Sequence, residues 1–300
     1  MMLSDILTDK DCFVCGSNLK TKVFELSHSN SNVFKMLDIH TDAHNQKSNV
    51  YQCKKCGHHY LSPVINSILM DKYYKAASEY YRKDVCPQNH LQNEHKSILK
   101  KIRAIRTSGK ILEIGCGYGF LLDTLNKNGY EAFGIEPSAH AFEFAKNRHG
   151  LDVRNVLLEE AKYPEDFFDI VILFDVLEHI EDVNIFLCTI KKYLKKGGHL
   201  LIGTGDIDSF NARLSRNSWD YFSSWEHISF FSGKSIKYLL RQNGFRDVRI
   251  QRVSYKGSFF TNTKIIFAKI IKAILSRLLK KEYTRGALAF DHMLVVVTKG

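Results

Sequence analysis

The run Ile111-Leu-Glu-Ile-Gly-Cys-Gly-Tyr-Gly119 restricts the possible folds of this chain more than any other feature. An apolar strand pattern ends in glycines at 115, 117 and 119, and a helical pattern starts at Phe120. Glycines at these steps let the backbone approach a bound molecule closely. The helix start that follows offers unpaired N–H groups to a carboxylate or phosphate. The downstream sequence continues in the same rhythm. Strands are expected at 111–114, 131–135, near Val153, at 168–174 and at 199–203. Helices are expected between them at 120–127, at 138–148 with Ser138 as cap, and at 183–194. A helix at 91–105 precedes this series, and a helix at 235–243 and strands at 248–253 and 293–297 follow it. Near-continuous apolar strands alternating with helices imply an α/β domain whose mostly parallel sheet is covered on both faces.

A dinucleotide loop would read G-x-G-x-x-G, and Phe120 stands where its third glycine belongs, so the nicotinamide reading falls. Glu136 ends the second strand, where a carboxylate can accept hydrogen bonds from both hydroxyls of a ribose. With these blocks in order, and with Phe168-Asp-Ile-Val-Ile-Leu-Phe-Asp175-Val-Leu-Glu178-His179 and Leu194-Lys-Lys-Gly197-Gly198 after them, residues 110 to about 300 resemble the class I S-adenosylmethionine-dependent methyltransferases. The resemblance implies a Rossmann-like seven-stranded sheet with an antiparallel last strand and S-adenosyl-L-methionine over the carboxyl ends of the strands. It also implies cofactor contacts from Glu113, Gly115, Gly117, Gly119, Glu136 and Asp175. Many relatives place an acid for the adenine amino group where this chain has Leu157, so Glu159 or Glu160 could serve only in a shifted register. His179 reads as a structural, loop-holding histidine.

Two knuckles, Cys12-x-x-Cys15-Gly16 and Cys53-x-x-Cys56-Gly57, bracket a polar stretch. Two such pairs in a reducing compartment point to a closed structural Zn²⁺ site at Cys12, Cys15, Cys53 and Cys56. Cys86, Cys116 and Cys188 are expected as free thiols. The expected layout is a zinc-binding domain with a tyrosine-rich connector over 1–87, then the methyltransferase domain over 88–300. This pairing is similar to the sugar C-methyltransferases, and to methyltransferases of surface polysaccharide and secondary metabolite pathways. It implies a small-molecule, sugar-like acceptor, methylated at carbon or oxygen.

From Arg241 onward there are thirteen Lys/Arg against three Asp/Glu, whereas the first 240 residues hold thirty against twenty-nine. The net charge of +11 therefore sits at the C-terminal end and is poor evidence for a nucleic-acid surface. The alternative function is a zinc-containing RNA base methyltransferase. Against it, thirty-seven residues separate Cys15 from Cys53, wider than in the RNA enzymes with a zinc site, and no Asn-Pro-Pro-Tyr-type motif is present. Residues 263–281 read as a basic amphipathic helix. We expect it to pack on its own domain, with contact to an anionic membrane surface as the second reading. No apolar run reaches the roughly eighteen residues a spanning helix needs, and the first residues lack signal-peptide character, so a cytoplasmic protein is expected, at most peripheral to a membrane.

About thirty residues follow the fifth strand, long enough to be a functional loop. They include Trp219, Tyr221, Phe222 and Trp225, then Glu226-His227. The aromatic residues are expected to wall the site from water. The sugar C-methyltransferase resemblance implies His227 as general base, Glu226 as its orienting or assisting acid, and Tyr221 as a weaker candidate base.

Overall fold

A computed structural model of the chain describes residues 6–27, 33–37, 39, 47–76, 88–222, 225–253 and 291–300. The basic helix expected at 263–281, Cys86 and the Tyr80-Tyr81 part of the connector lie outside these residues. The amino-terminal segment forms β1 (Leu7–Thr8), β2 (Lys20–Ser27), α1 (Val33–Met36), β3 (Lys47–Cys53), β4 (His59–Ser62), β5 (Val64–Ile65) and α2 (Ser67–Ala76). Then come α3 (Gln88–Ile105), β6 (Gly109–Ile114), α4 (Phe120–Asn126), β7 (Tyr130–Ile135), α5 (Ala139–His149), β8 (Asp152–Arg154) and β9 (Phe168–Phe174). The chain continues through α6 (Val183–Tyr193), β10 (Leu194–Gly205), α7 (Phe210–Ser215), β11 (Ser229–Phe230), α8 (Gly233–Gln242), β12 (Phe245–Val253) and β13 (His292–Lys299).

Seven strands form one sheet in the order β12-β13-β10-β9-β6-β7-β8. Strands β8, β7, β6, β9 and β10 run parallel, and β13 runs antiparallel to both its neighbours. Ile170, Val171, Ile172 and Leu173 of β9 are fully buried, because helices cover both faces of the central strands. Burying such side chains contributes about 1.5–3 kcal/mol each. The order of strands reverses between β6 and β9, and an open α/β sheet binds its ligand at such a switch point, outside the carboxyl ends. Local signals set the helix boundaries: the Ser138 hydroxyl caps α5 by accepting from Ala141 N–H at 3.4 Å, and Ser209 caps α7 through Ala212 N–H at 3.1 Å.

A second sheet has the order β11-β4-β3-β2. Three of its strands come from the knuckle segment, and β11 comes from the loop after β10, pairing Ser229 with Tyr60 and Phe230 with His59. Buried residues 12, 14, 53, 56 and 60 pack in one cluster with the core of the large sheet. The first knuckle is also anchored by side-chain amides, since Gln242 Nε2 donates to the Val14 carbonyl at 2.6 Å and Asn184 Nδ2 donates to the same oxygen at 3.2 Å. The segment thus forms a wall against the carboxyl side of the large sheet. Among the described residues, no helix is long and apolar enough to cross a membrane.

Candidate active site

The glycine loop leaves β6 at Gly115, whose N–H donates to the Ile135 carbonyl at 2.8 Å. Its φ of +71° is left-handed, and a Cβ there would stand 2.7 Å from Val176 Cγ2. Only glycine suits this position. Gly117 donates its N–H to Glu136 Oε2 at 2.8 Å, and Ser138 donates its N–H to Oε1 at 2.9 Å. Two backbone donors therefore fix a nearly buried carboxylate at the end of β7. Glu113 lies close by, with Oε2 buried and lacking any hydrogen-bond partner. Burial, with the charge of Glu136 adding to it, pushes the Glu113 carboxyl up to about 8. An unsatisfied buried carboxyl is costly, so a cationic or N–H donor arriving here would relieve it.

Gly119 serves a different purpose. It heads α4 with φ +75°, and a Cβ there would meet Leu151 Cδ1 at 2.4 Å and Ala145 Cβ at 3.1 Å, so it permits close packing of the loop on α5. Near Leu157, the Glu160 carboxylate accepts from the Leu157 N–H at 3.2 Å and pairs with Lys75 at 3.4 Å, which turns it back onto its own loop.

Across the switch point, the turn after β9 carries Asp175, Glu178 and His179. Asp175 has φ +51° and lies 3.5 Å from His292 Nε2 on β13. Burial opposes the charge on His292, but the carboxylates of Asp175 and Asp291 push its pKa up to about 10, making it the cation of this site. Glu178 is fully buried. Its Oε2 accepts from Thr204 Oγ1 at 2.9 Å, and its Oε1 accepts from the Tyr221 hydroxyl, which itself accepts from Gly205 N–H at 2.9 Å. Burial and the neighbouring Asp175 push the Glu178 carboxyl up to about 8. Tyr221 is thereby a positioning residue for Glu178; burial and that carboxylate drive its phenol far above the ordinary range.

His179 and His227 meet edge to face with ring centroids 4.8 Å apart. His179 Nδ1 lies 3.0 Å from the Glu226 carbonyl and 3.2 Å from the Tyr74 hydroxyl; His227 Nδ1 lies 2.7 Å from the Tyr221 carbonyl. Burial lowers both imidazole pKa values, that of His179 to about 3, so both rings are neutral at pH 7. Glu226, expected to orient His227, uses its carboxylate to accept from the Tyr73 hydroxyl on α2 and its carbonyl to hold His179. The orientation of His227 comes instead from the Tyr221 carbonyl.

Of the aromatic residues expected to wall the cleft, Phe222 and Trp225 face the knuckle segment, whereas Trp219 stacks on Tyr221 at 4.9 Å between centroids. Phe34 meets Trp225 at 5.7 Å between centroids, and Phe24 meets Phe222 at 5.0 Å. Three residues outside the expected set complete the site: Glu178, Thr204 and His292. The sequence before the strand-end turn shows Glu178 beside His179, but its burial against a tyrosine forty-three positions away has no local signature.

In the knuckles, Gly16 and Gly57 adopt left-handed φ of +65° and +76°, and their N–H groups donate to the carbonyls of Cys12 and Cys53. All four Sγ atoms lie within 4.8 Å of one another, with Cys12–Cys56 and Cys15–Cys53 at 3.5 Å. Zn–S bonds of about 2.3 Å place tetrahedral sulfurs about 3.8 Å apart, so the donor set fits zinc. Outside it, Cys116 is buried and Cys188 exposed, both free thiols.

The sheet order, the switch-point loop and the acid at the end of β7 define a Rossmann-like protein that binds a nucleotide-type cofactor. A family profile described as a methyltransferase domain matches residues 88–250, and the chain belongs to that family. A ubiquinone biosynthesis O-methyltransferase of Rhodopseudomonas palustris is 36% identical over 121 residues, covering 39% of this chain and 47% of that protein. The match thus spans about half the length of this curated relative. An uncharacterized protein of Methanocaldococcus jannaschii is 25% identical over 54% of this chain and 77% of its own length. Among solved structures, a SAM-dependent methyltransferase of Thermotoga maritima, titled a possible histamine N-methyltransferase, superposes with TM-score 0.54 at 20% identity, covering 77% of this chain and all of that one. Phosphoethanolamine N-methyltransferase 2 of Haemonchus contortus, in complex with S-adenosyl-L-methionine, gives TM-score 0.56 at 17% identity over 80% of this chain and 62% of its own. At such identities these structures speak for the fold.

Proposed function

We propose that this chain transfers the methyl group of S-adenosyl-L-methionine to a hydroxyl oxygen of a small-molecule acceptor. The observation that carries the reading is the Glu136 carboxylate, held by Gly117 and Ser138 N–H groups beside the unsatisfied Glu113 at the switch point. These groups fit a ligand with ribose hydroxyls and an ammonium group. When bound, the cofactor supplies a methyl group on a positively charged sulfur. Glu136 would hold its ribose hydroxyls, Glu113 would receive its ammonium group, and Gly115 would let it approach the backbone. His227 handles the acceptor's proton, because its Nδ1 faces a carbonyl and its Nε2 carries the lone pair. Aligning the reactants and excluding water lower the barrier by up to about 7–11 kcal/mol.

The named O-methyltransferase relatives support oxygen as the methylated atom, and for that reason we prefer a hydroxyl acceptor to the carbon of a nucleotide-linked sugar. A sugar hydroxyl stays within the proposal. Zn²⁺ at Cys12, Cys15, Cys53 and Cys56 has a structural role in this reading, in keeping with a reducing, cytoplasmic setting.

The test is methyl-labelled cofactor offered with phenols and catechols, nucleotide-linked sugars, and RNA. Label is expected in a hydroxyl-bearing small molecule. Label in RNA alone, or in a carbon position of a sugar, would overturn the assignment.

A further inference from the structure

The turn after β9 and the loop before β11 bring together three side chains of metal-ligating type from three directions. One ligand atom each from Glu178, His179 and His227 lies within 4.8 Å of the other two. We propose that these three residues hold a divalent first-row cation such as Mn²⁺, Fe²⁺ or Zn²⁺, distinct from the zinc at the four cysteines. The proposal rests on the hydroxyl-methylation reading for its purpose, though not for its geometry.

The hydrogen bonds around the three groups are those a metal site requires. A carbonyl oxygen can only accept. The Nδ1 atoms that face the Glu226 and Tyr221 carbonyls therefore carry the ring protons, and in a neutral imidazole this leaves the lone pair on Nε2. Metal-bound histidines are held in this way, with the second nitrogen donating to a carbonyl or carboxylate that fixes tautomer and ring angle. Glu178 is oriented by two hydroxyl donors, Thr204 and Tyr221, each on a different oxygen, so further lone pairs remain for a metal.

A cluster built only to hold the loop would turn ring lone pairs toward hydroxyl or N–H donors. Here Tyr221 and Thr204 are spent on Glu178, the Tyr74 hydroxyl lies on the Nδ1 side of His179, and the cation His292 is drawn off by Asp175 and Asp291. Two imidazoles and one carboxylate suit first-row divalent metals better than Mg²⁺ or Ca²⁺, and three protein ligands leave positions open to an acceptor oxygen. A cation beside the acceptor hydroxyl lowers its pKa. The O–H bond then breaks with the proton passing to water, the oxygen pair forms the bond to the methyl carbon, and the pair of the breaking C–S bond returns to sulfur. His227 acts in this scheme as a ligand.

The test is Mn²⁺ titration of the zinc-loaded full chain followed by electron paramagnetic resonance, since Mn²⁺ competes poorly for the thiolates. One Mn²⁺ per chain is expected, with nitrogen modulation in the spin-echo envelope from coordinated imidazole. Its affinity should fall about a hundredfold in His179→Ala and in His227→Ala. Unchanged S-adenosyl-L-methionine affinity would show that these variants remain folded. Failure of the wild-type chain to bind Mn²⁺ at millimolar concentration would overturn the metal site, as would bound Mn²⁺ without nitrogen modulation. Methyl transfer to a hydroxyl that persists undiminished in a chelator would also overturn it while leaving the hydroxyl-methylation reading intact. Absence of hydroxyl methylation with Mn²⁺ bound would remove that reading and leave the site.

Discussion

His227→Ala is expected to lower turnover by at least about a hundredfold while leaving the affinity for S-adenosyl-L-methionine within a factor of two. The asymmetry follows from where the residue sits. The proposed cofactor cradle comprises Gly115, Gly117, Glu113 and Glu136 at the ends of β6 and β7, and none of the hydrogen bonds described there involves His227. His227 belongs to the other side of the switch point, with its ring against His179 and Tyr221. Removing the imidazole takes away the lone pair that either accepts the acceptor's proton or binds the cation that loosens it. Rapid-quench turnover and calorimetric cofactor binding on the same preparation check both halves. Near-normal turnover would mean that the ring merely holds the loop.

Cys53→Ser is expected to destabilise the chain by more than about 4 kcal/mol, the largest stability effect of any single change considered. A Zn²⁺ held by the four sulfurs would tie together the two knuckles of a segment whose strands are only two to eight residues long. The damage should spread. Strand β4, two positions beyond the second knuckle, pairs with β11, and Leu61 N–H donates to the Ile228 carbonyl one residue past His227. Melting the knuckles therefore loosens the loop that carries Glu226 and His227, and activity should fall together with stability. Cys188→Ser, at an exposed free thiol, is the control and should unfold like the wild type. Equal denaturation midpoints for Cys53→Ser and the wild type would contradict the structural role of the metal.

The two regions differ in how much of them can be read from sequence. Strand β9 is legible to the residue because a seven-residue apolar run between turn signals has few alternatives, and β6 with its glycines is nearly as clear. Strand β10 begins five residues before the expected 199, at Leu194, because that residue pairs with Phe168 ahead of a break in the ladder. The sheet of the knuckle segment gives almost no local sign. Strand β2 reads Lys-Thr-Lys-Val-Phe-Glu-Leu-Ser, and β11 has two residues whose partners lie about 170 positions away. Such pairings are fixed by tertiary packing, which local periodicity does not record. The same reason hides the role of Tyr221: its sequence neighbours suggest a cleft-lining base, whereas Gly205 and Glu178 claim its hydroxyl. His179, read as structural, sets its ring edge to face against His227. The cysteine spacing is the exception among long-range features, because two matched knuckles advertise a common partner.

Titration calorimetry of S-adenosyl-L-methionine against the full chain probes the proposed cradle around Glu136. Glu136 contributes a charged acceptor to the ligand, so its loss should cost about tenfold or more in affinity. One cofactor per wild-type chain is expected, and at least that loss in Glu136→Ala with the melting temperature little changed. A wild-type chain that takes up no cofactor, or a Glu136→Ala variant that binds it as tightly as the wild type, would show that the cofactor is not held there.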